Sequence, residues 1–254
     1  MSQLLIDVDD ATGVSRITLN RPERRNALNG ELLAELKDAL ALAEADDRVR
    51  VVAIQGAGPD FCAGADLAEI QEAIEDGVMA SLADAEALGE LFILMRRLGK
   101  PVVAVVQGRA LAGGCGLASA CDLVVAADDA QFGYPEVKLG FVPAMVIAIL
   151  RRAVGEKHAF ELAVGGDSIG AMRAQEIGLV NRVVPAGELA QGAGAYLESL
   201  AKRSATAVAL TKRLLYATDG ASFESAIHVG AQANALARMT EDCQAGIRRF
   251  LDKE

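Results

Sequence analysis

Two stretches concentrate glycine just ahead of segments that read as helices: Gly56-Ala57-Gly58-Pro59-Asp60-Phe61-Cys62-Ala63-Gly64-Ala65-Asp66 and Gly108-Arg109-Ala110-Leu111-Ala112-Gly113-Gly114-Cys115-Gly116. Free amides at a helix start favour negative charge, and residues without side chains let a ligand approach the main chain closely. The chemistry this offers is stabilisation of an anion, or of an oxygen that becomes one during a reaction. Neither stretch is a P-loop, since no Gly-Lys-Ser/Thr follows, and neither completes G-x-G-x-x-G. Taken singly, each is also what an ordinary tight strand-to-helix turn looks like; their pairing is more informative. His158 and His228 fall in helical segments outside both turns and read as structural or surface residues. Cys62, Cys115, Cys121 and Cys243 fit neither a C-x-x-C pair nor a zinc spacing, so no metal site is expected and nucleophilic catalysis through a Ser/His or Cys/His pair finds little support.

The turns must be carried by something rigid. Leu4 to Val8 and Val14 to Leu19 are apolar and β-branched around Asp9, Asp10 and Gly13, which predicts a hairpin. Asn29 can N-cap a helix whose face is Leu32, Leu33, Leu36, Leu40 and Ala43. Val49 to Ile54 is a short apolar run, Asp66 to Ile74 turns helical, and a leucine-rich helix covers about Leu82 to Leu98. Alternation continues at Val102 to Val106, Gly113 to Cys121, Leu123 to Ala126 and Val180 to Val184, the pattern of an α/β protein with mainly parallel strands. Beyond Pro185 only helices are expected, over Gly187 to Ala217 and Ser222 to Phe250. The expected division is therefore a core over residues 1–190 and a helical subdomain over 191–254.

Composition narrows the function. The 254 residues are enough to bury a substantial core. A net charge of −10 repels polyanions, so nucleic acid and anionic membrane surfaces are not expected partners. The N-terminus lacks a basic region followed by an apolar core, and the apolar stretch near Val142 to Leu150 is far shorter than a membrane span. A cytoplasmic protein with four reduced, buried thiols is expected.

Four segments, in order, resemble the enoyl-CoA hydratase/isomerase (crotonase) superfamily: Asn20-Arg21-Pro22-Glu23-Arg24-Arg25-Asn26-Ala27-Leu28-Asn29, Phe61 to Leu67, Ala112 to Ala118, and Cys121-Asp122-Leu123 leading into Phe132-Gly133-Tyr134-Pro135-Glu136-Val137. The resemblance spans nearly the whole chain. It implies a spiral of β-β-α repeats followed by C-terminal helices that trimerise, often as a dimer of trimers. It places the two oxyanion-hole amides on Ala65 and Gly113 and a catalytic acid on Glu136. Hydratases of the family usually carry Gly-Gly-Gly-Cys-Glu in the second turn, its Glu acting with the one twenty residues on; here the first of those two positions is Gly116.

That departure shapes the expected chemistry. Removing a proton beside a thioester carbonyl drives negative charge onto the oxygen, which two preorganised amides can stabilise. A single carboxylate can then return the proton two carbons away, turning 3-enoyl-CoA into 2-enoyl-CoA without water. Hydration normally shares its work between two acids. The expected activity is therefore isomerisation by Glu136. The alternatives are a hydratase whose second acid comes from Glu72, Glu75, Asp84 or Glu86, and a non-catalytic acyl-CoA binding protein. The resemblance also puts Arg24, Arg25 and Ala27 near CoA, Ala63, Ala65, Asp66 and Leu67 at the adenine-pantetheine bend, and Phe250 and Lys253 at CoA, often across a subunit boundary. Asp66 is as readily an N-cap, and Asp122 reads as a structural hydrogen-bonding residue. No cofactor is expected beyond the CoA of the substrate itself.

Overall fold

A computed structural model describes residues 2–252. The chain runs β1 (Leu4–Asp9), β2 (Val14–Leu19), α1 (Gly30–Ala45), β3 (Val51–Gly56), α2 (Leu67–Glu75), α3 (Val78–Arg97), β4 (Val102–Val106), β5 (Arg109–Leu111), α4 (Gly113–Ala120), β6 (Leu123–Ala127) and β7 (Gln131–Gly133). It continues through α5 (Ala144–Gly165), β8 (Ile169–Gly170), α6 (Ala171–Glu176), β9 (Arg182–Val184), α7 (Leu189–Ala201), α8 (Ala205–Ala217), α9 (Phe223–Arg238) and α10 (Glu241–Leu251). One sheet has the order β1-β2-β3-β4-β6-β9 and a smaller one the order β5-β7-β8. The hairpin pairs β1 with β2 antiparallel from Leu4–Leu19 to Asp9–Val14, and β2 through β9 of the large sheet pair in parallel. Each spiral turn lays one strand in the large sheet and one in the small sheet, then crosses by helix: β4, β5, α4, then β6, β7, α5. This is the β-β-α spiral that the resemblance implied.

The local reasons are visible. Asn29 accepts a hydrogen bond from the Leu32 amide and so caps α1, whose Leu32, Leu33, Leu36, Leu40 and Ala43 are all buried. Strand β4 reads Val-Val-Ala-Val-Val because every residue in it is buried, as a parallel strand covered on both faces requires. Helix α5 corresponds to the apolar stretch near Val142 to Leu150 and the helical segment around His158, which the sequence does not join into one element. It is interrupted at Gly155 (φ 76°), and that break splits a periodicity that an unbroken helix would have displayed.

The boundary expected near residue 190 falls at the second residue of α7, a helix that packs on β2, β3, β4 and β6 through buried Leu189, Ala193, Leu197 and Ala201. In α8, α9 and α10 the only buried residue is Lys212. Its ammonium donates to Asp122 Oδ2 at 2.6 Å and to the Lys100 carbonyl, while the Tyr216 hydroxyl donates to Asp122 Oδ1 at 2.7 Å. Asp122 also accepts from the Val102 amide, so it ties α8 to the ends of β4 and β6. Cys62, Cys115 and Cys121 are buried; Cys243 is only half-buried, on the amphipathic α10, which corrects the expectation of four buried thiols. Among the described residues, no helix is long and apolar enough to cross a membrane.

Candidate active site

The two glycine-rich segments lie side by side. Phe61 N–H donates to the Gln107 carbonyl, Cys62 N–H to the Arg109 carbonyl and Leu111 N–H to the Cys62 carbonyl, so the segments run as short parallel strands. Across them, Arg109 grips Asp60 with Nε to Oδ1 and Nη2 to Oδ2, both at 2.8 Å. This fork holds the Asp60 carboxyl below its ordinary pKa and locks the relative position of the turns. Opposite charges in the two segments are the sequence signal for this clamp, although neither residue belongs to a site that the sequence predicts.

At the far end of these strands the two predicted amides come into one neighbourhood. Leu28 pairs with the Gly64 carbonyl and the Asp66 amide, leaving the Ala65 N–H facing the other way. Gly113 opens α4, and a Cβ built on it would stand 3.6 Å from the Ala65 nitrogen, with Leu88 and Leu28 as its other neighbours. Among the described residues, neither the Ala65 nor the Gly113 amide donates a hydrogen bond. Gly114 allows the close approach, since a Cβ there would lie 2.3 Å from the Cys62 carbonyl oxygen.

The cap residue of α4, Ala112, is held at φ 48°, ψ −127° while its amide donates to the Gly133 carbonyl. That conformation is unfavourable for a residue with a Cβ and costs on the order of 1–3 kcal/mol. Ala112→Gly should therefore raise Tm by about 2–4 °C, read by a thermal melt. An unchanged or lower Tm would show that the surrounding turn carries no such strain.

Glu136 sits in the short 3-10 turn Pro135–Leu139, is 8% exposed, and has a buried Oε2 without a hydrogen-bond partner. Burial pushes its pKa above the ordinary value. The turn is tethered to α4: the Tyr134 hydroxyl, fully buried, shares a 2.8 Å hydrogen bond with Ser119 Oγ, which donates to the Cys115 carbonyl. Cys115 is raised to about 12, chiefly by burial, with the Glu136 charge adding to it. Cys62 is likewise raised to about 12, so both thiols near the turns are poor nucleophiles.

Gly116 occupies the position where the family's other acid is expected. A Cβ there would meet Val146 Cγ1 at 2.2 Å and Phe92 Cζ at 3.4 Å. Of the other acids considered, Glu72, Glu75 and Glu86 are exposed. Asp84 is half-buried on α3, one helical turn before Leu88, and burial followed by the Glu69 charge raises its pKa.

The loop from Asn20 to Asn29 borders the first turn. Ala63 N–H donates to the Arg25 carbonyl, and Asn26, fully buried, bonds the Ala57 and Asp60 carbonyls through Nδ2. Arg25 and Asn26 are both left-handed, at φ 52° and 56°. Arg24 and Arg25 are exposed and, among the described residues, make no ion pair. Asp66 caps α2 at the Ala68 amide and binds Arg21 Nη2 at 2.9 Å, so both acceptor oxygens have partners within the chain. Ala27 and Ala63 are half-buried and Leu67 is exposed. Phe250 is exposed on α10, a helix that packs on α8 and α9, and Lys253 lies outside the described residues.

Comparison with known proteins agrees with this architecture. The model of the enoyl-CoA hydratase/isomerase family matches residues 9–254. A Thermus thermophilus protein is 45% identical over 240 residues, covering 94% of this chain and 95% of its own length. The 2,3-dehydroadipyl-CoA hydratase of Escherichia coli K12 is 36% identical over 254 residues, covering 100% and 97%. The crystal structure of enoyl-CoA hydratase from Mycobacterium smegmatis superposes with a TM-score of 0.95 at 35% identity, covering 100% of this chain and 98% of that one. With the paired turns, the spiral and these whole-length matches in agreement, the chain belongs to the enoyl-CoA hydratase/isomerase family and has the crotonase fold.

Proposed function

We propose that this enzyme isomerises 3-enoyl-CoA to 2-enoyl-CoA, with Glu136 carrying the proton. The observation that supports this reading most is a buried carboxyl group with one unpartnered oxygen, near enough to Cys115 of α4 for its charge to act on that thiol, in a chain with glycine at the position where a second acid would otherwise stand. As carboxylate, Glu136 takes the proton from the carbon next to the thioester. Charge moves to the thioester oxygen, which the Ala65 and Gly113 amides receive, and Glu136 then returns the proton two carbons along the chain. The raised pKa makes it a stronger base than a solvated carboxylate and keeps the transfer reversible near neutral pH. Conversion of 3-enoyl-CoA to the conjugated thioester, followed by its absorbance, tests the reading: the rate should depend on Glu136, and no conversion over a range of chain lengths would remove it.

A second reading, hydration of 2-enoyl-CoA, has support from the names of the Escherichia coli and Mycobacterium smegmatis relatives. It also has one local observation: Asp84 shares a face of α3 with Leu88, which covers Gly113, and is partly desolvated. Under this reading 3-hydroxyacyl-CoA takes its oxygen from solvent, and Asp84→Asn lowers that rate about 10²-fold; no label incorporation would remove it.

For CoA, we propose that Arg24 and Arg25 meet the phosphates, since both side chains are exposed and, among the described residues, make no ion pair, and that Ala27, Ala63, Asp66 and Leu67 border the bend. Phe250 and Lys253 would serve a neighbouring subunit. The exposed apolar residues of α8 to α10, including Leu215, Phe223, Leu236, Met239 and Phe250, support a homotrimer or a dimer of trimers. Light scattering should give three or six chains per particle at micromolar concentration, and a stable monomer would overturn the assembly.

A further inference from the structure

We propose that Val146 determines the reaction specificity of this site, by filling the space that a second carboxylate and its water would need. For its chemistry the inference rests on the isomerase reading; its steric basis is independent. A side chain at 116 would start 2.2 Å from Val146 Cγ1 and 3.4 Å from both Val146 Cβ and Phe92 Cζ. The obstacle is not a flexible tip. Val146 is 3% exposed and β-branched, so its rotamers on a helix are few. Ile149 and Leu150, one turn further along α5, are 8% and 0% exposed and hold that helix in place. Helix α5 packs against α4, where Val146 meets position 116, and also against the Pro135–Leu139 turn that carries Glu136, so the element that fills the first acid position also contacts the turn that carries the second.

What fills the space decides what can react there. A trapped water needs two to four polar partners. Val146 and Phe92 offer none, and the free Oε2 of Glu136 is a single acceptor. Hydration needs a water held against C3 of the 2-enoyl thioester, and Val146 and Phe92 give position 116 nothing to hold one; the dienolate formed from 3-enoyl-CoA needs only the proton that Glu136 carries. Gly116 and Val146 are thus one device: the glycine removes the acid and the valine removes its room.

The test is a pair of mutant cycles. Gly116→Ala, Val146→Ala and their combination are compared by Tm. The expected result is a loss for Gly116→Ala alone that shrinks clearly when Val146 is also alanine; additive Tm changes would overturn the proposed occupancy. Gly116→Glu, with and without Val146→Ala, is then given 2-enoyl-CoA in 18O-labelled water. The double variant should form labelled 3-hydroxyacyl-CoA at least 10-fold faster than wild type, and Gly116→Glu alone should not. Equal hydration by Gly116→Glu alone, no gain in a folded double variant, or wild-type hydration as fast as wild-type isomerisation would each overturn the inference. Failure of the isomerase reading shows separately, as 3-enoyl-CoA conversion that ignores Glu136→Gln, and the Tm cycle decides the steric claim in either case.

Discussion

Glu136→Gln should lower kcat for isomerisation by about 10³-fold, within the range general acid-base groups contribute, and leave KM nearly unchanged. Glutamine keeps the size and hydrogen-bonding reach of the side chain but cannot accept the transferred proton. The proposed role draws on that ability: the carboxyl is 8% exposed and one oxygen has no partner to lose. In wild type, kcat/KM should rise with pH through a pKa above the ordinary carboxylate value, because the carboxylate form begins the reaction. The same displacement affects folding. The folded protein retains this proton at pH values where the unfolded chain has released it, so the contribution to stability is complete below the unfolded pKa and is lost as pH rises through the folded one. The glutamine variant has no charge to desolvate, so it should melt above wild type at neutral pH, with the gap closing as pH falls toward 4. Turnover within threefold of wild type, or a variant that melts lower at neutral pH, would contradict the assignment.

Gly114→Ala should lower kcat by about 10²-fold and also lower Tm. The added methyl would stand 2.3 Å from the Cys62 carbonyl oxygen, 2.7 Å from its Sγ and 2.8 Å from its carbonyl carbon. Backbone cannot step aside as a side chain can, so the start of α4 must move away from the turn that holds Ala65. Losing one oxyanion donor typically costs about 3 kcal/mol of transition-state stabilisation, and overpacking typically costs 1–3 kcal/mol of folding stability. Arg24 and Arg25 stand on a different loop, so KM should change less than kcat. Adding Cys62→Ala removes the sulfur contact and leaves the carbonyl contact. It should therefore rescue neither quantity; rescue, or wild-type kcat in Gly114→Ala itself, would show that the approach of the two turns is not what the glycine serves.

Much of the scaffold was legible in the residues. The hairpin around Gly13, the Asn29 cap and the buried face of α1 are encoded within a few positions of one another, so spacing alone reveals them. The run at β4 was equally plain, because a strand buried on both faces must be apolar throughout. The extent of helix α5 is not legible because Gly155 separates its apolar start from the helical segment around His158, and the small sheet is not because β5, β7 and β8 have three, three and two residues, too few to show any alternation.

At the site, the sequence by itself determined the two glycine-rich turns, because a backbone that admits a close approach needs glycine at particular positions; the resemblance to the family singled out the Ala65 and Gly113 amides, Glu136 and the absence of an acid at Gly116. Only the tertiary structure decided that Asp60 and Arg109 clamp the turns together, that Arg21 and the α2 amides share Asp66, and that Val146 fills the space beside Gly116. Those partners come from separate elements whose meeting depends on how the spiral closes. An empty Cβ position has no signature in the chain, and what fills it is settled by packing alone.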